Sequence, residues 1–119
     1  MIVLHANQPT YVDVDDTLLS WEYDELPSEN RIRVECDGYV QYLRPMKKNI
    51  EQLKAHKARG HTIIVWSAGG SMWAEAAVKA LELESFVDLV TEKPMWILDD
   101  LPPSEFMPKN RWYPHEESK

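Results

Sequence analysis

An α/β fold built on a parallel sheet is what this sequence predicts, on three observations. Short runs rich in β-branched residues alternate with longer segments of helical period. One run, Thr62-Ile63-Ile64-Val65-Trp66, is apolar throughout and bounded by Gly60 and Gly69, which marks a strand covered on both faces. Several of the runs end in side chains of catalytic type, as strands of an open parallel sheet do at their carboxyl edge. Successive strands of such a sheet are joined by right-handed crossovers.

A chain of 119 residues has material for one core, so a single domain over 1–119 is expected. Hydrophobic residues at 44% and charged residues at 28% are ordinary globular proportions. The net charge of −7 argues against a general attraction to nucleic acid or anionic membranes. Cys36 is the only cysteine, which suits a reducing compartment, and no apolar run reads as a signal peptide or a membrane span. A cytoplasmic protein is the expectation.

The stretch from Thr10 to Leu19 reads as a short buried strand running into carboxylates and a hydroxyl: Asp13, Asp15, Asp16 and Thr17. Residues two apart in an extended chain project to the same side, so Asp13 and Asp15 can reach one small volume while Val14 turns into packing. Like charges so placed call for a cation between them or a retained proton. A helix-loop-helix calcium loop is excluded, because counting from Asp13 its sixth position holds Leu18 in place of glycine and its twelfth holds Asp24 in place of glutamate. A solvated acidic turn is the plain alternative.

The polar stretch from Ser20 to Asn30 is expected to be a loop anchored by Trp21 and Tyr23. A β-hairpin over about 31–43 should turn through Cys36-Asp37-Gly38, so that Ile32 faces Tyr42 and Val34 faces Val40. Pro45 suits the first turn of a helix running to about Arg59, where Gly60 stops it. Met46, Ile50 and Leu53 line its apolar stripe. Its basic face (Lys47, Lys48, Lys54, Lys57, Arg59) is a solvated surface or, as the sharper alternative, a contact for a phosphate polymer. After the strand at 62–66, Ser71 can cap a second helix from Met72 to about Leu83. Phe86 to Val90 and Met95 to Leu98 are expected as the third and fourth strands. A tail from Leu101 to Lys119 follows, its C-terminal part over about 109–119, and Phe106, Met107, Trp112 and Tyr113 argue that its first part docks on the domain.

Reactive residues thus collect at three strand ends: Asp13 and Asp15 after the first, Ser67 after the second, and Asp99-Asp100 after the fourth, with Lys93 just ahead of that strand. In this pattern the chain resembles the haloacid dehalogenase superfamily of aspartate-nucleophile phosphatases. Asp13-Val14-Asp15-Asp16-Thr17 matches the DxDx(T/V) signature, Ser67 the second motif, Lys93 the third and Asp99-Asp100 the fourth, a match spanning about 10–108. The resemblance implies a Rossmann-like, three-layer fold, a magnesium ion and a phospho-aspartyl intermediate. The gap between the first two motifs holds only a loop and a hairpin, so a small capless enzyme with the hairpin as a flap is expected.

On this resemblance Asp13 is the nucleophile and Asp15 the general acid and base. Asp13, Asp15 through its main-chain carbonyl, and Asp100 would hold magnesium, with Asp99 orienting its waters. Thr17, Ser67, Ala68, Gly69 and Lys93 would bind the phosphate, the amides of the turn after Ser67 adding their N–H groups. Lys79, inside the second helix, is the other candidate for the lysine. The implied activity is that of a magnesium-dependent phosphomonoesterase. Alternatives are a phosphatase of nucleotides or nucleic-acid 3′ ends, a phosphoprotein phosphatase, and a non-catalytic phosphate- or metal-binding module.

Overall fold

The computed structural model describes residues 8–22 and 30–108. The expectations for Tyr23 and for the tail at 109–119 therefore lie outside the described residues. In chain order the elements are β1 (Pro9–Asp13), β2 (Leu19–Ser20), β3 (Ile32–Cys36), β4 (Tyr39–Pro45), α1 (Lys47–Ala58), β5 (Thr62–Ser67), α2 (Ser71–Ala80), β6 (Leu89–Glu92) and α3 (Pro103–Phe106). They form an α/β arrangement with two three-stranded sheets, one parallel in the order β1-β5-β6 and one antiparallel in the order β2-β4-β3.

β5 is the middle strand of the parallel sheet because its β-branched side chains fill both faces: Ile63, Ile64 and Val65 are all buried. It pairs with β1 from Pro9↔Thr62 to Asp13↔Trp66 and with β6 from Ile64↔Leu89 to Ser67↔Glu92. This register brings Asp13, Ser67 and the residue after β6, Lys93, to one edge. α1 buries Leu53 and α2 buries Trp73, Ala74, Ala77 and Val78. Val34 and Leu43 of the antiparallel sheet join Ile63, Val65 and Trp73 in the same buried cluster, each large side chain contributing about 1.5–3 kcal/mol on burial. The hairpin is thus rooted in the main core.

Several expectations are corrected. The hairpin turns through two residues, Asp37 (φ 50) and Gly38 (φ 81), rather than three. Both φ values are positive, as a type I′ turn requires. Ile32 therefore opposes Leu43, and Val34 opposes Gln41, a shift that leaves Val34 and Leu43 on the buried face and Tyr42 exposed. Pro45 ends β4, and α1 begins after Met46, whose N–H donates to the Leu18 carbonyl. Gly70, with φ 109, rather than Ser71, is the residue before α2, and no side chain caps that helix.

The third parallel strand is Leu89–Glu92 rather than 86–90. Phe86 and Val87 are apolar because they pack against the core from the turn after α2, and pairing with β5 begins only beyond Asp88. No strand forms over 95–98. Met95 and Trp96 are each 92% exposed and Leu98 is fully so, in a segment set between Pro94 and Pro102. An apolar run signals a wish for burial without naming a partner, and here none of the described strands pairs with it.

The basic face of α1 is partly committed to packing: Lys57 Nζ binds both oxygens of Asp88 at 2.8 and 3.0 Å, and Lys54 Nζ lies 5.1 Å above the Phe86 ring. At the helix end, His56 and His61 share an Nδ1···Nδ1 hydrogen bond of 2.9 Å. Burial, and then the neighbouring His61 and Arg59, lower the His56 pKa from its ordinary 6.5. The unfolded chain thus takes up this proton more readily than the folded one. Stability from His56 is complete above pH ~6.5 and is lost as the pH falls from there through the folded value. Denaturant midpoints measured across pH 7.5 to 5 should fall toward the acid side, and His56→Gln should flatten that slope. A second expectation concerns the turn. Gly38→Ala meets no steric neighbour, so only the left-handed backbone opposes it, and a loss of about 1 kcal/mol in urea unfolding with an unchanged slope is expected.

Candidate active site

β1 ends at Asp13, and the chain then reverses tightly. The Val14 carbonyl accepts from the Leu18 and Leu19 amides, Asp16 sits at φ 59, and the Asp16 amide donates to the Leu19 carbonyl. Aspartate tolerates that left-handed position better than most residues. Val14, Leu18 and Leu19 are fully buried, so the apolar residues pin the loop from inside while Asp13 and Asp15 stay at the sheet edge. Asn49, on the first turn of α1, holds the loop from below with its Nδ2 at 2.8 Å from the Thr17 carbonyl.

Asp13 is bound on both oxygens. Thr17 Oγ1 donates to Oδ2 at 3.1 Å, and Lys93 Nζ stands 2.9 Å from Oδ1. Lys93 reaches it because its own amide donates to the Ser67 carbonyl, fixing the backbone where β6 ends beside β5. Its ammonium also lies 6.0 Å from the Trp66 ring, which packs on Tyr11 of β1. Lys93 is therefore the lysine at the carboxylates. Lys79 lines a separate cavity of about 570 Å³ between the hairpin and α2, together with Arg33, Glu35 and Asp37 and with none of the strand-end residues.

Asp15 accepts three hydrogen bonds. Trp21 Nε1 and Trp73 Nε1 both donate to Oδ1, at 2.8 and 2.9 Å, and Ser67 Oγ donates to Oδ2 at 3.1 Å. Ser67 is fully buried, and its oxygen accepts in turn from the Gly69 amide at 2.9 Å. A Cβ at Gly69 would stand 3.3 Å from Ser67 Oγ and 3.2 Å from Trp73 Cδ1, so glycine lets these two side chains close around Asp15. The turn Ser67-Ala68-Gly69 thus lies beside the carboxylates, with the Gly69 amide engaged within it and the Ser67 hydroxyl hydrogen given to Asp15.

Asp99 and Asp100 are not gathered with this group. They lie in the exposed stretch after β6, where Asp99 Oδ1 accepts from the Leu101 amide in a local turn. Among the described residues, no three His, Cys, Asp or Glu side chains stand close enough to share a metal ion. Magnesium asks for less, since one or two carboxylates with waters and phosphate oxygens satisfy it. The hard oxygen donors at the strand end, Asp13 with the Asp15 carbonyl, suit it in kind. The fourth-motif pair adds nothing to that set in this arrangement.

Three contributors escape a reading of the sequence alone: Trp21, Trp73 and Asn49. For Trp21 a weak signal exists, because an indole N–H needs an acceptor and the residue lies six positions after Asp15, whereas Trp73 is 58 positions away and carries no local signal. For Asn49 the signal is a polar residue, 6% exposed, in the apolar stripe of α1. A cavity of about 370 Å³ opens beside Asp15, lined by Trp21, Cys36, Tyr39, Gly69 and Trp73. No helix among the described residues is long and apolar enough to cross a membrane.

Trp73→Phe shrinks the buried indole to a single ring and deletes the donor to Asp15. A loss of about 1–3 kcal/mol in urea unfolding is expected, from the lost hydrogen bond to Asp15 together with the buried volume removed. A change under a few tenths would show that the indole bond to Asp15 adds nothing to stability.

No protein-family model, curated protein or solved structure matches the chain, and its chemistry is read from the strand-end residues themselves.

Proposed function

We propose that the chain is a magnesium-dependent phosphomonoesterase of the haloacid dehalogenase type, with a Rossmann-like three-layer fold, no cap domain, and the β3–β4 hairpin as its flap. One observation carries the reading: the two carboxylates at the end of β1 have different partners. Asp13 faces a lysine ammonium at 2.9 Å, and Asp15 is held by a hydroxyl and two indoles. A nucleophile needs a nearby cation to draw in a phosphoryl group, and an acid needs a fixed orientation toward the leaving oxygen.

In the first half-reaction an Asp13 oxygen attacks phosphorus in line. The Asp13 O–P bond forms, the bond from phosphorus to the leaving oxygen breaks, and Asp15 passes its proton to that oxygen. In the second half, Asp15 takes a proton from water, the water oxygen bonds to phosphorus, and the acyl-phosphate bond breaks to restore the Asp13 carboxylate. Lys93 offsets the charge of the phosphoryl oxygens throughout. Thr17 and Ser67 first position the carboxylates, and their hydroxyls can turn to the phosphate when it arrives, with the Ala68-Gly69 turn beside it. Asp13 and the Asp15 carbonyl would hold magnesium, which when bound would supply charge neutralisation on the phosphate. For Asp15 to carry its proton to the leaving oxygen, one of its two indole bonds must yield, since both converge on Oδ1. The partner is a phosphorylated substrate, and a reducing cytoplasm suits the single unpaired thiol of Cys36.

Asp13→Asn should abolish phosphate release and leave the thermal melt within a few degrees of the parent. The lost partner, Lys93, is over a third exposed, and exposed ion pairs contribute only about 0–1 kcal/mol. Activity within tenfold of the parent would remove Asp13 from the nucleophile role. Chelation should stop turnover and added magnesium should restore it. Full activity after exhaustive metal removal would defeat the metal requirement.

A further inference from the structure

Resting on the phosphatase reading, we infer that the leaving group this site selects carries a planar aromatic ring, which packs in the cavity beside Asp15. That cavity has three aromatic rings among its lining residues: Trp21, 38% exposed, Trp73 from α2, and Tyr39, 54% exposed, from the hairpin tip. Both indole N–H groups point to Asp15 Oδ1, and Trp73, seated in the core, keeps its ring fixed relative to the carboxylate that meets the leaving oxygen even when the Trp21 bond yields. A ring carried by the leaving alcohol therefore arrives against them when its phosphate is at Asp13.

The polar atoms of these side chains are engaged, apart from the Tyr39 hydroxyl hydrogen. The indole hydrogens go to Asp15, and the Tyr39 hydroxyl oxygen accepts from Gln41 Nε2 at 2.7 Å. Ring faces, the Tyr39 hydroxyl hydrogen and the Cys36 side chain remain for a guest. A hydroxyl-rich leaving group would lose water contacts there and find few replacements, whereas a flat apolar ring loses none. The indole centroids, 5.9 Å apart and tilted by 40°, are too close to admit a third ring between them, so the guest lies against the pair. Among the described residues no lysine or arginine lines the cavity, so a second phosphate, as in a polynucleotide chain, would find no cation among them. The volume of about 370 Å³ sits at the small end of pockets for single small ligands, about 300–1,000 Å³. Aryl-bearing monoesters carry such a ring without further polar groups; nucleoside monophosphates carry a flat ring too, but on a ribose whose hydroxyls the cavity does not serve.

The test uses matched pairs, so that acidity of the leaving alcohol does not decide the outcome. 2-Phenylethyl phosphate is compared with 2-cyclohexylethyl phosphate, and nucleoside 5′-monophosphates with ribose 5-phosphate, all with magnesium. The aromatic member should win by about tenfold or more in kcat/KM in at least one pair, the scale of stacking on an aromatic platform, and the winning pair identifies the source of the ring. Tyr39→Ala should bring that ratio down several-fold. Ratios within threefold in both pairs, or a preference that Tyr39→Ala leaves intact, would overturn the inference. Indole fluorescence titrations with 2-phenylethylphosphonate and 2-cyclohexylethylphosphonate give a readout without turnover. If no ester is hydrolysed the phosphatase reading fails, and the titrations still judge the cavity: a tenfold tighter aromatic ligand sustains it, and equal affinities refute it.

Discussion

The parallel pairing of β1 with β5 is the constraint on which the rest depends. Its register, Asp13 beside Trp66, sets where the β1 chain leaves the sheet, and the pairing of β5 with β6 sets where Lys93 emerges. A slip of one residue would turn Asp13 to the other face of the sheet and break the contact with Lys93. The register is held by the buried Ile63 and Val65 of β5 and by Val14, which is fully enclosed just past β1. Hydrophobic packing at the strands therefore fixes the spacing of charges at the edge.

That dependence explains which parts were legible in the sequence. β5 announced itself through an unbroken β-branched run, and the edge cluster through a strand running into Asp13 and Asp15, because both signals are local. The hairpin was legible as a hairpin and misread by one residue, since Asp37-Gly38 satisfies either a two- or a three-residue turn until the burial of Val34 and Leu43 chooses. Phe86 and Val87 looked like strand because burial is what their composition reports, whether it comes from a sheet or from a turn beneath it. The segment 95–98 went further astray, as its apolar character matches no partner among the described elements. The tryptophans at Asp15 were invisible for a different reason: they come from residues 6 and 58 positions away, and such contacts exist only once the chain is folded.

The three donors on Asp15 set a tension within the proposed chemistry. They orient the carboxylate firmly, which suits a group that must meet one oxygen of one ligand. They also occupy positions that a proton in transit would use. Trp73 is nearly buried and belongs to the core, whereas Trp21 lies at the surface where the chain leaves β2, so the indole with freedom to yield is Trp21. A further backbone bond ties that residue in place, from its amide to Asp16 Oδ1 at 3.0 Å. The ring can swing without releasing the chain.

The hairpin is not built as a free lid. β2 begins directly after the loop carrying Asp15 and Thr17 and pairs with β4, the Met46 amide holds the Leu18 carbonyl, and α2 packs against β3. Val34 and Leu43 sit in the common core, so closure of the whole hairpin would open cavities there, at a cost of several kcal/mol. Motion is cheap only at the tip, around Asp37, Gly38 and Tyr39. Water around the reacting phosphate must then be displaced largely by the guest itself, and a flat ring lying between Tyr39 and the indoles would serve as the missing wall. On the proposed reading the aromatic lining would do more than bind: it would let the substrate complete a site that the described residues leave open.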